Sequence, residues 1–201
     1  MVWRPILIAL FVASACGAQR TVAPSTPPTV DVSAALSVPA GPVLFEPEQL
    51  IFPPEDFPLG DLQVARDGPV GSHGWERQFV TPSSVDFRWF TVRLFVLEPD
   101  VTGPRFVEDN GCAAVSWPDE QPTATELDPP RTGDAVRACR YAFRDNARVL
   151  YLTTGYRNVG MLLATQPRRA EMSDDLSLRW LSVLAQKQVA IIARVMTVAK
   201  Y

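Results

Sequence analysis

Apolar residues alternate most strongly over Asp86 to Glu98, DFRWFTVRLFVLE. Phe87, Trp89, Thr91, Phe95 and Leu97 point one way there, and Phe90, Val92, Leu94 and Val96 the other. A strand that is apolar on both sides is covered on both sides. Shorter runs of period two predict strands at DLQVAR and WERQFV, separated by the turn-rich DGPVGSHG. Three more are predicted at Ala135 to Phe143, Arg148 to Thr154 and Val159 to Thr165, with a hairpin at Gly155-Tyr156-Arg157-Asn158. Helical periodicity takes over at the end of the chain. Leu178, Leu181, Ala185, Ile192 and Val195 recur at three- and four-residue spacing, widened by Leu184 and Ile191, while Arg179, Ser182, Gln186 and Lys187 fall off the stripe. Ser173 is placed to cap this long helix, and Asp174 and Asp175 suit the positive end of its dipole. A weaker helix is predicted in DVTGPRFVEDNGCAAV, starting near Gly103-Pro104, and a helical turn at Glu46 to Leu50. Trp117 to Thr132 reads as a polar, proline-rich loop.

Strands, a short connecting helix, further strands and a terminal helix predict an α+β domain over residues 43–201. Its antiparallel sheet has about five to six strands, with the long C-terminal helix packed on it. The order W-E-R-x-F, a long apolar strand, a weak helix, G-D-A-V…Y-A-F-R, a hairpin and a final helix resembles small bacterial extracytoplasmic domains of PsbP-like α/β/α architecture. The resemblance covers approximately Asp61 to Ala199. It implies a layered sandwich and an accessory or binding role rather than catalysis, although a fold does not by itself license a function.

Upstream of the domain the pattern is different. Arg4 precedes an uncharged run, Ile6 to Ala15, that is too short to span a bilayer, which takes roughly 20 helical residues. A charged start, a short apolar core and the small residues Ala13-Ser14-Ala15 read as a secretory signal over residues 1–15. Ala15 followed by Cys16 resembles the lipobox of bacterial lipoproteins. That resemblance implies a diacylglyceryl thioether on Cys16, cleavage before it, and acylation of the new amine. A non-lipidated secretory signal that ends beside a cysteine is the rival reading. From Gly17 to Pro42 the chain carries prolines 24, 27, 28, 39 and 42, one Arg, one Asp and no aromatic residue. Such a stretch buries too little apolar surface to offset its ordering entropy, so residues 16–42 are expected to be a disordered tether. As a flexible coil it reaches roughly 25–30 Å, and a glycosylated, mucin-like stalk, which its Ser/Thr/Pro content would also suit, is a minor alternative.

Composition narrows the function. The chain of 201 residues has a formal charge of −3 and no polybasic run, which argues against nucleic acid as a partner. Its distribution is uneven: Val43 to Pro129 is acidic, whereas Pro130 to Ala170 holds arginines 131, 137, 140, 144, 148, 157, 168 and 169 against Asp134 and Asp145. Arg140 and Arg144, four apart on one predicted strand, would share a face and could attract an anionic ligand or envelope partner. Internal pairing with the acidic half is the competing reading. Trp75 and Trp117, at a strand start and in a loop, are the aromatic candidates for ligand contact; Trp89 and Phe95 read as core.

Of three cysteines, Cys112 and Cys139 remain once Cys16 is assigned, and an even pair in an exported chain favours a disulfide; two buried thiols are the alternative. One histidine and no Cys-x-x-Cys give no metal site, and no cofactor is implied. His73, in Gly-Ser-His-Gly, is the one residue placed as a general base would be, but that sequence is also ordinary turn chemistry. No Gly-x-Ser-x-Gly, phosphate loop or dinucleotide fingerprint occurs. The expectation is therefore a lipid-anchored, non-catalytic binding or adaptor protein held at the cell membrane through Cys16 and facing outward. A hydrolase using His73 and a structural envelope component are the alternatives.

Overall fold

The computed structural model describes residues 26–29, 41–59, 62–112 and 121–198. Cys16, Trp117, the leader and most of the tether lie outside the described residues. Three strands form an antiparallel meander: β1 (Gln63–Val70), β2 (Gly74–Val80) and β3 (Phe87–Val96). The chain then crosses one face of the sheet through α2 (Gly103–Asp109) to the far edge. It returns as β4 (Thr123–Leu127), β5 (Ala135–Ala142), β6 (Arg148–Tyr156) and β7 (Val159–Pro167). The last strand pairs with β3, giving a single antiparallel sheet of seven strands in the order β1-β2-β3-β7-β6-β5-β4.

The opposite face carries α3 (Asp174–Val198), which lies over β6 and β7, and a short helix α1 (Pro47–Leu50) between α3 and strands β2 and β3. Residues opposed across an antiparallel ladder share a face. Val92, Leu163 and Leu152 thus form one row beneath these helices, and Leu94 and Met161 another, all without exposure. Phe52, Phe57, Phe79 and Phe90 fill the β2–β3 half, with ring centroids 4.5–5.8 Å apart. Gln188 sits fully buried on the apolar stripe of α3. Its Oε1 accepts from Phe52 N at 3.0 Å and its Nε2 donates to Leu50 O at 2.5 Å, so the α1 segment is tied to the helix by a satisfied amide.

On the other face α2 approaches the sheet closely because glycine meets glycine. A Cβ on Gly103 would sit 2.7 Å from the Gly155 carbonyl carbon, and the Phe106 ring occupies the space a Cβ on Gly160 would need. Pro104 suits the first turn, where its missing N–H costs nothing. Cys112, just past α2, is disulfide-bonded to Cys139 of β5 across a Cα separation of 5.6 Å. The Tyr141 hydroxyl donates to Cys112 O beside the bond. Burial and the neighbouring Tyr151 push the Tyr141 phenol up to about 12.

The α+β class, the long terminal helix and the disulfide match the expectation, and five details differ. The sheet has seven strands rather than five to six, since β4 lies inside the stretch expected to be loop. Its alternation is Thr-based and its partner lies on one side only, as for an edge strand. Cys139 accordingly belongs to the fifth strand and not the fourth. The side chain of Phe87 turns toward α3, not to the side of Trp89 and Thr91, because a register shift between Phe87 and Trp89 breaks the alternation. Arg144 lies beyond the end of β5, in the turn to β6, so it does not share a strand with Arg140. Ser182 is buried although it lies off the stripe.

Candidate functional site

Two groups of polar side chains stand at opposite ends of the sheet. The first is where the chain enters the domain. Asn158, in the β6–β7 turn, is 3% exposed and acts as a strand partner for Val43. Its Oδ1 accepts from Val43 N at 2.6 Å, while its Nδ2 donates to Val43 O at 3.0 Å and Leu97 O at 2.9 Å. Arg157 beside it occupies the left-handed region with φ 57°, a conformation that favours glycine. It is held there by its own N–H on Asp134 Oδ2 at 2.6 Å, and Nη1 donates to Gly41 O at 2.8 Å. The end of the expected tether is therefore stitched to the domain at Gly41 and Val43. Asn158→Ala removes all three side-chain bonds and leaves buried polar groups unpaired, at a cost of about 2–3 kcal/mol. Limited proteolysis of that variant should cut near Val43 at a protease concentration that leaves the native chain whole.

The second group lies about 27 Å away, the length of β6. A cleft of about 220 Å³ is bordered by the β5–β6 turn, the β7–α3 connection and the start of β3, and is lined by Arg88, Asp145, Arg148, Gln166, Arg168 and Arg169 among others. Arg168 is fixed by neutral acceptors: Nε donates to Val85 O at 2.9 Å, and Nη2 to Thr81 O at 2.8 Å and Pro82 O at 3.3 Å. Arg169 pairs with Asp86 at 3.1 Å. Arg148 and Arg140 share one carboxylate, Asp174 at the start of α3, at 3.3 and 3.0 Å. Arg88 is exposed and has no ion pair among the described residues.

The residues singled out from sequence are thus scattered. Arg140 belongs to the Asp174 network and donates to Thr125 Oγ1 at 3.4 Å, so it is committed internally. Arg144 is exposed in the turn after β5. Trp75 is half-buried near the chain-entry end, with Nε1 donating to Asp67 Oδ1 at 2.5 Å. Burial acts to raise the Asp67 carboxyl, but hydrogen bonds from Arg77 and Trp75 outweigh it and hold the group below its ordinary value. His73 is exposed at the β1–β2 hairpin tip, and its imidazole makes no hydrogen bond among the described residues. Arg137–Glu126 and Arg169–Asp86 join the basic stretch to the acidic half, as the internal-pairing reading expects, whereas Arg140 pairs with Asp174, which lies outside that half. Arg168 is legible in the sequence only as one member of the basic stretch, and neither Arg88 nor Asn158 is marked by any pattern. Arg88 lies outside the basic stretch, and nothing in Gly-Tyr-Arg-Asn announces a clamp.

No protein-family profile, curated protein or solved structure matches this chain. The site must speak through its own chemistry. Among the described residues no group of three or more His, Cys, Asp or Glu side chains is arranged to hold a metal ion, and no helix is long and apolar enough to cross a membrane.

Proposed function

We propose that the protein is a lipid-anchored, extracytoplasmic binding module of a bacterial envelope, tethered at one end of its sheet and presenting an arginine-lined cleft at the other. The observation that carries this reading is the separation of the two groups along the sheet. Asn158 and Arg157 secure the incoming chain at one end, while Arg88, Arg148, Arg168 and Arg169 gather at the opposite end. A tether entering at the first end joins the domain on the side away from the cleft. The signal-like leader, the lipobox-like Ala15-Cys16 and the Pro/Ser/Thr stretch support export and anchoring. Helices on both faces of the sheet give the domain a layered α+β architecture.

Cys16→Ser tests the anchor. The native chain should sediment with membranes and be released by detergent, whereas the variant should appear in the soluble fraction. Equal distribution of the two would remove the basis for anchoring.

A further inference from the structure

We infer that the arginine cleft between the β5–β6 turn and the β7–α3 connection binds a phosphate monoester group carried on a larger molecule. This rests on the binding-module reading for its setting, but its chemistry stands on the cleft alone.

Charge comes first. Arg88, Arg148, Arg168 and Arg169 line the cleft, and Arg140 stands behind Arg148 on the shared Asp174. The carboxylates that line it or pair with its lining are Asp86, Asp145 and Asp174. Five guanidinium groups against three carboxylates leave two positive charges uncompensated. One carboxylate ligand would leave an excess, whereas a phosphate monoester carries about −1.5 to −2 at neutral pH and accepts through three oxygens. Guanidinium groups match such oxygens in a forked, planar geometry.

The donors are also in place beforehand. Arg168 is held by three backbone carbonyls and has no carboxylate partner among the described residues, so its orientation is fixed while its charge is not cancelled. Asp145 accepts from Ala147 N at 2.9 Å, which turns one of its oxygens back into its own turn. Gln166 accepts from Trp89 Nε1 at 3.0 Å through Oε1, an assignment that leaves its Nε2 amide as a donor. Arg88, exposed and without an ion pair among the described residues, stands at the rim as a clasp.

Size decides the form of the ligand. Sites that enclose a whole drug-sized molecule measure roughly 300–1,000 Å³, and this cleft is smaller, at about 220 Å³. It accommodates a charged group and its attachment point, with the remainder of the ligand outside.

The test uses the full-length chain in non-ionic detergent, titrated calorimetrically with glucose 6-phosphate and with glucuronate, which offers a carboxylate on a similar ring. Glucose 6-phosphate should bind at least tenfold more tightly than glucuronate. Its affinity should fall between pH 7.5 and pH 5 as the monoester, with its second pKa near 6, loses a charge. Arg88→Gln, an exposed change that leaves the fold intact, should weaken binding about tenfold without moving the unfolding midpoint. Vesicles containing phosphatidic acid identify the source. Retention that depends on Arg88 assigns the group to a lipid, and its absence alongside glucose 6-phosphate binding assigns it to a glycan or other soluble carrier. No binding of glucose 6-phosphate, equal affinity for glucuronate, or an unchanged titration in Arg88→Gln would overturn the proposal. Such a failure in a chain whose Cys16 is acylated leaves the anchoring reading standing; phosphate binding by a chain that is not acylated does the reverse.

Discussion

Replacing Cys112 and Cys139 together by alanine is expected to lower the stability of the domain by about 3–4 kcal/mol. The bond closes a loop with a sequence separation of 27, and confining that loop restricts the unfolded chain. Against a total of roughly 5–15 kcal/mol for an ordinary domain, this is a large fraction. It corresponds to a fall in melting temperature of about 10 °C for a domain of this size. The location adds a local consequence. α2 is only seven residues long and rests on the sheet chiefly through Gly103 against Gly155 and Phe106 against Gly160. Its C-terminal end is held by Thr153 Oγ1 on Asn110 O at 3.3 Å, by Tyr141 on Cys112 O, and by the disulfide. Without the bond, α2 should exchange its amides well before the β3–β7–β6 strands do. Urea unfolding of the oxidised chain, the reduced chain and the double variant measures this. The oxidised chain should unfold at distinctly higher urea, with the other two close together; three coincident midpoints would mean the bond does not constrain the fold.

Trp180→Ala should cost about 3–5 kcal/mol, the range for removing a large aromatic side chain from a packed interior. Trp180 is 2% exposed, and its ring meets Phe87 edge-on at a centroid distance of 6.3 Å. Phe87 in turn stacks obliquely on Phe90 at 4.8 Å. The contact joins the first turns of α3 to the start of β3, so the cavity would open where the helix first settles on the sheet. Trp180→Phe, which keeps an aromatic ring in place, should recover a good part of the loss. Equilibrium denaturation of the two variants decides the matter. A loss below about 1 kcal/mol for Trp180→Ala would mean that this end of α3 is not docked as described.

The elements with strong periodicity are legible in the sequence: β3 alternates over most of its length, and α3 repeats its apolar stripe for about five turns, from Leu178 to Val195. What escaped was fixed by contacts that no local pattern encodes. The bulge beside Phe87 transfers one aromatic residue to the other face, and a simple alternation cannot announce it. The edge strand β4, Thr123 to Leu127, has little apolar content because only one side of its ladder is paired and much of it faces water. Gln188 carries a usable signal. It falls three residues after Ala185 and four before Ile192, on the buried stripe, and a polar residue there implies a buried partner. Gly155 was read as part of a turn, yet it lies within β6 and is small because Gly103 presses against it.

The candidate site was only half legible. The excess of arginine after Pro130 is plain in the sequence, but which guanidinium groups are neutralised depends on where the carboxylates arrive. Arg140 meets Asp174, 34 residues later in the chain. Arg168 meets carbonyls of the β2–β3 connection instead, and Arg88 comes from outside the basic stretch to stand beside it.

On the function proposed above, an exported chain is anchored through Cys16 and enters its folded domain at the opposite end from the arginine cleft. The intact mass of the native protein, purified from membranes without reductant, tests it most directly. The expected species begins at Cys16, is heavier by its acyl chains, and is about 2 Da lighter than the fully reduced form because Cys112 and Cys139 are joined. An unmodified chain that retains Met1 and carries three free thiols would contradict it.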